Sequence, residues 1–141
     1  MTRTDRIVRL GLAGAVAALA GLPAIAAPRS DQPVQGWSAM EGTSPAALVH
    51  DIRDLPLSEV ALDDQPYCAT DTEIAATLSH DFGETPVDSD GAHGTELWGS
   101  DLMGTWTLVA PRDDATSCII ASGVGFDDQQ AVQAYYTVAG L

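Results

Sequence analysis

The chain has 141 residues and a formal net charge of −14, with six arginines against 20 aspartates and glutamates and no lysine at all. Such a field repels phosphate backbones and anionic headgroups, which excludes nucleic-acid and membrane-surface binding as expectations and favours cations or basic partners. The length fits one small domain with a single modest core.

The N-terminal stretch sets the expected compartment. Arg3, Arg6 and Arg9 precede an apolar run from Leu10 to Leu22, and Ala24 and Ala26 occupy the minus-three and minus-one positions of an A-x-A site. A basic start, a short apolar run and a small-residue site read as a secretory signal peptide over residues 1–26. The alternative, an N-terminal membrane anchor, calls for about 20 apolar residues, and this run is shorter and rich in Ala and Gly. Cleavage after Ala26 leaves 115 residues carrying 3 arginines and 19 acids, a net charge of −16, and no stable membrane span. The expected location is therefore periplasmic or secreted.

Residues 27–65 read as a flexible lead, punctuated by Pro28, Pro33, Gly36 and Gly42. Within it "SPAALVHDIRDLP" predicts a short helix near residues 45–53. Ser44 is its N-cap, Pro45 takes the first helical position, and the helix stops before Pro56. A core domain spans residues 66–126. Its first element is announced by Thr70–Glu73, a capping box whose Asp71 and Glu73 also suit the positive end of a helix dipole. Ile74, Leu78 and Phe82 recur every four residues and Gly83 offers a left-handed stop, so the spacing predicts a helix over about 71–82. The period then switches to alternation. A short strand is expected near Pro86–Asp88 with a turn at Asp90–Gly91, followed by strands over 96–98, 105–112 and 117–122. The fold class is α+β, one capped helix on a small antiparallel meander sheet. The tail, residues 127–141, has a polar start and an apolar end and reads equally as a short helix or a docking strand.

Cys68 and Cys118 are the only cysteines, and in an exported chain an even count predicts a disulfide with one connectivity. If Cys118 pairs with Cys68 beside the helix start, alternation places Cys118 and Ile120 on the helix-covered face, with Ile119 and Ala121 on the other. One short helix covers one face, so the second needs shelter from residues 44–62, from the tail or from another molecule.

The segments "CATDTEIAATLSHDFGETPVD" and "GTELWGSDLMGTWTLVAPRDDATSCIIASG" together resemble a group of small exported alphaproteobacterial proteins of unknown function. That pattern has a cysteine before a helix ending in Gly-Glu, a strand with Trp or Phe, then GTWT, a cysteine strand and ASG. The matching residues are Cys68, Gly83, Glu84, Glu96, Trp98, Gly104, Thr105, Trp106, Thr107, Cys118, Ala121, Ser122 and Gly123, within residues 66–126. The chain departs from the pattern at Leu102 and Met103, where the resemblance implies polar residues. Some similar short proteins carry an S-adenosylhomocysteine hydrolase label. That activity needs NAD on a Gly-rich turn between strand and helix, whereas this chain has only "GVG" at 123–125, followed by Asp127 and Asp128, whose carboxylates oppose a pyrophosphate. The label is unsupported, and no cofactor is expected.

No catalytic residues are assigned. The His-Asp dipeptides at His50–Asp51 and His80–Asp81 point in different directions on a helix, so adjacency does not make them ligand pairs. "DSDGAHGTE" fails the EF-hand pattern, because Pro86 and Leu97 stand where acids are required. It reads as an acidic turn, with a weak divalent-cation site at Asp88, Asp90 and Glu96 as the alternative. Trp98, Leu102, Met103 and Trp106 form an apolar hairpin, read either as core or as an interaction patch. The expected function is an exported, acidic, non-catalytic binding module for a protein or small-molecule partner. The alternatives are a small extracytoplasmic hydrolase with carboxylates near Glu84 and Glu96, and the weak cation binder.

Overall fold

The computed structural model describes residues 32–62, 65–88 and 90–141. The signal peptide expected over residues 1–26 lies outside the described residues. In chain order the elements are β1 (Gln35–Ser38), α1 (Pro45–Asp51) with a 3-10 turn (Ile52–Asp54), β2 (Cys68–Thr70) and α2 (Asp71–Asp81). Then come β3 (Thr85–Asp88), a second 3-10 turn (Ala92–Gly94), β4 (Glu96–Ser100), β5 (Thr105–Pro111), β6 (Thr116–Val124) and α3 (Val132–Ala139). The architecture is α+β, with one antiparallel sheet of six strands among the described residues.

Strands β3 to β6 form the meander the alternation predicts. β6 is long enough to take two partners along its outer edge: β2 at its start, with Cys68 opposite Cys118, and β1 at its end, with Gln35 opposite Val124. Cys68 and Cys118 are joined by a disulfide, as expected. β1 falls in the stretch read as flexible lead. Its four residues, "QGWS", are too few to show a period, and it is the pairing with β6 that makes them a strand.

Local chemistry sets the helix ends. The Ser44 hydroxyl accepts from the Ala47 N–H at 3.3 Å, and Pro45 opens α1. The Thr70 hydroxyl accepts from the Glu73 N–H at 3.2 Å, but Glu73 turns away from the box and accepts instead from the Tyr67 hydroxyl at 2.5 Å. Ile74 and Leu78 are buried along α2, whereas Phe82 caps the helix at φ −113° and is exposed. Gly83 makes the left-handed stop at φ +62°.

Two expectations about the faces are corrected. Cys118 and Ile120 do share a core, but it is covered by α1 and α3, through Leu48, Ile52, Tyr135, Tyr136 and Ala139, rather than by α2. Helix α2 lies on the opposite face, where Ile74 and Leu78 pack with Ala69, Trp98 and Val109. The three-residue length of β2 is the cause: Cys68 points into one core and Ala69 into the other, and the chain enters the helix on Ala69's side. The second correction concerns Ala121, which joins Ile120 instead of Ile119. Leu108 pairs with Ala121 while Val109 pairs with Ile119, so Ile120 is the extra residue of a bulge that breaks the alternation.

The tail resolves as helix α3. Tyr135 donates to the Asp127 carbonyl at 2.9 Å and accepts the Asp127 N–H at 3.0 Å, fixing the loop that precedes the helix. Gly140 at φ +78° and the Leu141 N–H to Tyr136 carbonyl bond of 2.9 Å close its C-terminus.

Candidate functional site

The β4–β5 hairpin closes between Ser100 and Thr105, its last register pair. The Gly104 N–H donates to the Ser100 carbonyl at 2.7 Å and the Met103 N–H to the Ser100 hydroxyl at 3.1 Å, with Gly104 at φ +68°. From below, the Phe126 N–H donates to the Gly104 carbonyl at 3.2 Å. The backbone of the turn is thus tightly held while its two apolar side chains project outward: Leu102 is 78% exposed and Met103 57%.

Beside the turn, the Asp128 N–H donates to Asp101 Oδ1 at 2.9 Å, which draws the loop before α3 against the hairpin. The carboxylates of Asp101, Asp127 and Asp128 consequently gather with ligand atoms within 4.8 Å of one another. A groove of about 400 Å³ runs from this cluster toward the outer edge of β3, with Gly83, Val87, Leu102 and Phe126 in its walls. Gly99 admits the Phe126 ring that forms one wall, since a Cβ there would stand 2.2 Å from it. Val87 is exposed on β3, the last strand of the sheet on that side.

The four-residue apolar hairpin divides. Trp98 is 8% and Trp106 0% exposed, and they belong to the cores on opposite faces of the sheet. Leu102 and Met103 alone reach the surface. Asp88 and Glu96 each take a neighbouring donor. Asp88 accepts from the Tyr136 hydroxyl at 3.2 Å and from the Asp90 N–H at 3.4 Å, while Glu96 accepts from the Trp98 indole N–H at 3.4 Å. Burial, with the Asp88 and Glu96 charges, pushes Tyr136 up to about 12, and Gly91 leaves room for its hydroxyl.

The carboxylates named for hydrolysis are also apart. Glu84 is wholly buried, and it sits one residue before Thr85, the partner of Gly99. Glu96 lies at the other end of β4, about 13 Å along the strand at the usual rise.

Two groupings were invisible in the sequence. Asp127 and Asp128 reach Asp101 through the bond from the Asp128 N–H to the Asp101 carboxylate, between segments 27 residues apart. His50 and His93 meet edge to face with ring centroids 5.7 Å apart, although nothing local relates α1 to the second 3-10 turn. No family model, no curated protein and no solved structure matches the chain.

Proposed function

We propose that this is an exported, non-catalytic binding module whose working surface is the Asp101–Met103 turn with the groove beside it. The observation that carries the reading is the display of Leu102 and Met103 on a hydrogen-bonded turn that is itself rimmed by three carboxylates. Side chains held out by a fixed backbone lose little further backbone freedom on binding, so less of the gain from their burial is offset by ordering. The partner that matches is a protein segment offering an apolar side chain between lysines or arginines, because the chain's net charge of −14 steers cations toward it. The disulfide, and the absence of any helix long and apolar enough to cross a membrane among the described residues, fit a periplasmic or secreted location.

Amide-shift mapping by NMR tests this with two short peptides that share a Leu-Trp centre, one flanked by lysines and the other by glutamates. The lysine peptide is expected to shift residues 99–104 and 126–128, with an effect that weakens as salt is raised. Leu102→Asp is expected to abolish the response without lowering thermal stability. An equal response to the glutamate peptide, or shifts that avoid the turn, would sink the proposal.

A further inference from the structure

A second cleft, of about 480 Å³, opens at the other end of the molecule between α1 with its 3-10 turn and the β5–β6 hairpin. It is unusual in its charge. Arg53 and Arg112 are the only arginines among the described residues, and both line it, as does His93. Asp113 and Asp114 stand in the same lining, and Val49, Ile52, Ala110 and Pro111 supply apolar wall. In a chain so strongly acidic, this is where positive charge is concentrated and where both signs share one concavity.

The cleft is also pre-built. Arg112 is only 7% exposed in its side chain, and its Nη1 donates to the carbonyls of Ile52 at 2.9 Å and Leu55 at 2.5 Å. Its Nε donates to the Thr116 hydroxyl at 2.8 Å. The guanidinium therefore ties the 3-10 turn to the hairpin end and fixes the width of the opening. The only two non-glycine residues with left-handed backbone among those described border the same place: His93 at φ +60° and Ala115, next to Asp114, at φ +60°. Backbone held in that region costs energy that the fold retains where geometry matters.

We propose that this cleft binds a small zwitterionic ligand of amino-acid type. The carboxylate would lie against Arg53 and Arg112, the ammonium against Asp113 or Asp114, and an apolar side chain along Ile52 and Pro111. The volume is in the range of small-molecule sites. Asp114 already pairs with Arg112 at 4.0 Å and accepts from the Thr116 hydroxyl, so a purely anionic ligand would meet Asp113 and a purely cationic one Arg53, and only a molecule bearing both charges uses both of these exposed groups. The proposal is independent of the turn at the opposite end of the sheet.

Calorimetric and NMR titration with L-leucine, L-methionine and L-phenylalanine tests it against two single-charge analogues, leucinamide and 4-methylpentanoate. At least one amino acid is expected to saturate, shifting residues 52–53 and 110–114 and the His93 imidazole. Each single-charge analogue is expected to bind at least about ten-fold more weakly, which corresponds to roughly 1.4 kcal/mol. Arg53→Gln and Asp113→Asn change exposed side chains and should each weaken binding to a similar degree with the fold intact. No saturable response to any of the three at roughly 10 mM, equal binding of an analogue, or affinity unchanged in both variants overturns the assignment.

Discussion

The indole of Trp106 lies against the bare backbone of Gly123, its register partner on β6, and beyond it against Gly36 on β1, which pairs with Gly123 in turn. A Cβ on Gly123 would stand 2.5 Å from the ring and 2.0 Å from the Gln35 carbonyl oxygen; one on Gly36 would stand 2.5 Å from the same ring. The large residue on β5 is accommodated by absent side chains on its neighbours, and Tyr135 closes over it with ring centroids 5.7 Å apart. Gly123→Ala is therefore expected to destabilise the fold by about 1–3 kcal/mol through overpacking, despite the alanine's better strand propensity. Gly36→Ala should cost a comparable amount. Urea denaturation followed by tryptophan fluorescence measures both, and a neutral or stabilising Gly123→Ala would contradict this packing.

The Cys68–Cys118 bridge staples β2 to β6 and closes a loop of 50 residues. In the chain-entropy account such a loop is worth about 4 kcal/mol, a large share of the stability of a domain this size. The double variant Cys68→Ala with Cys118→Ala should lose approximately that much by denaturant titration. Thiol labelling of the unfolded wild type without reductant should find no reactive cysteine.

What was legible in the sequence was what neighbours decide. The hydroxyls of Ser44 and Thr70, the pairing of Ile74 with Leu78 and the alternation of β5 each act within a few residues of chain, and each appears where the pattern places it. What was not legible depends on distant segments. β1 is a strand through its pairing with β6, where Gly36 leaves room for the Trp106 ring, and the Ile120 bulge arises from the pairing of β6 with β5. α3 lacks a side-chain N-cap bond and acidic residues in its first turn, so neither signal marked it. The same division holds for the candidate site. Leu102 and Met103 stood out as apolar residues in a turn, whereas the arrival of Asp127 and Asp128 is a tertiary event.

The β5–β6 hairpin turns through Asp113, Asp114 and Ala115, with the Arg112 N–H donating to the Thr116 carbonyl at 2.8 Å. Ala115 sits at φ +60°, where a Cβ crowds the following carbonyl. Three-residue hairpins ordinarily place glycine at such a position. Ala115→Gly should accordingly raise stability by about 1 kcal/mol, the relieved strain outweighing the added freedom of the unfolded chain. A thermal melt decides it, and a lower midpoint in the glycine variant would refute the strain at this turn.

Among the described residues Glu84 is the one buried acid. It is 0% exposed, and neither of its carboxylate oxygens has a hydrogen-bond partner. The left-handed Gly83 and the bond from the Glu84 N–H to the Leu78 carbonyl, 2.9 Å, turn it inward beneath α2. Burial is the dominant influence on its carboxyl and pushes it above the usual range. The consequence for stability has a definite sign. Below the usual carboxylate range the group is protonated in both folded and unfolded chains, and burying it costs little. As pH rises, the unfolded chain releases the proton while the fold retains it, so this group's contribution is lost progressively up to the folded pKa. Glu84→Gln keeps the shape and removes the titration. Wild type and variant should differ least below the ordinary carboxylate range, and the variant should become the more stable by a margin that widens as pH rises above it. All other acids are common to both proteins, so the difference between the two curves isolates Glu84. A gap that stays constant with pH, or a wild type favoured at high pH, would show that the carboxyl is ionised in the folded state.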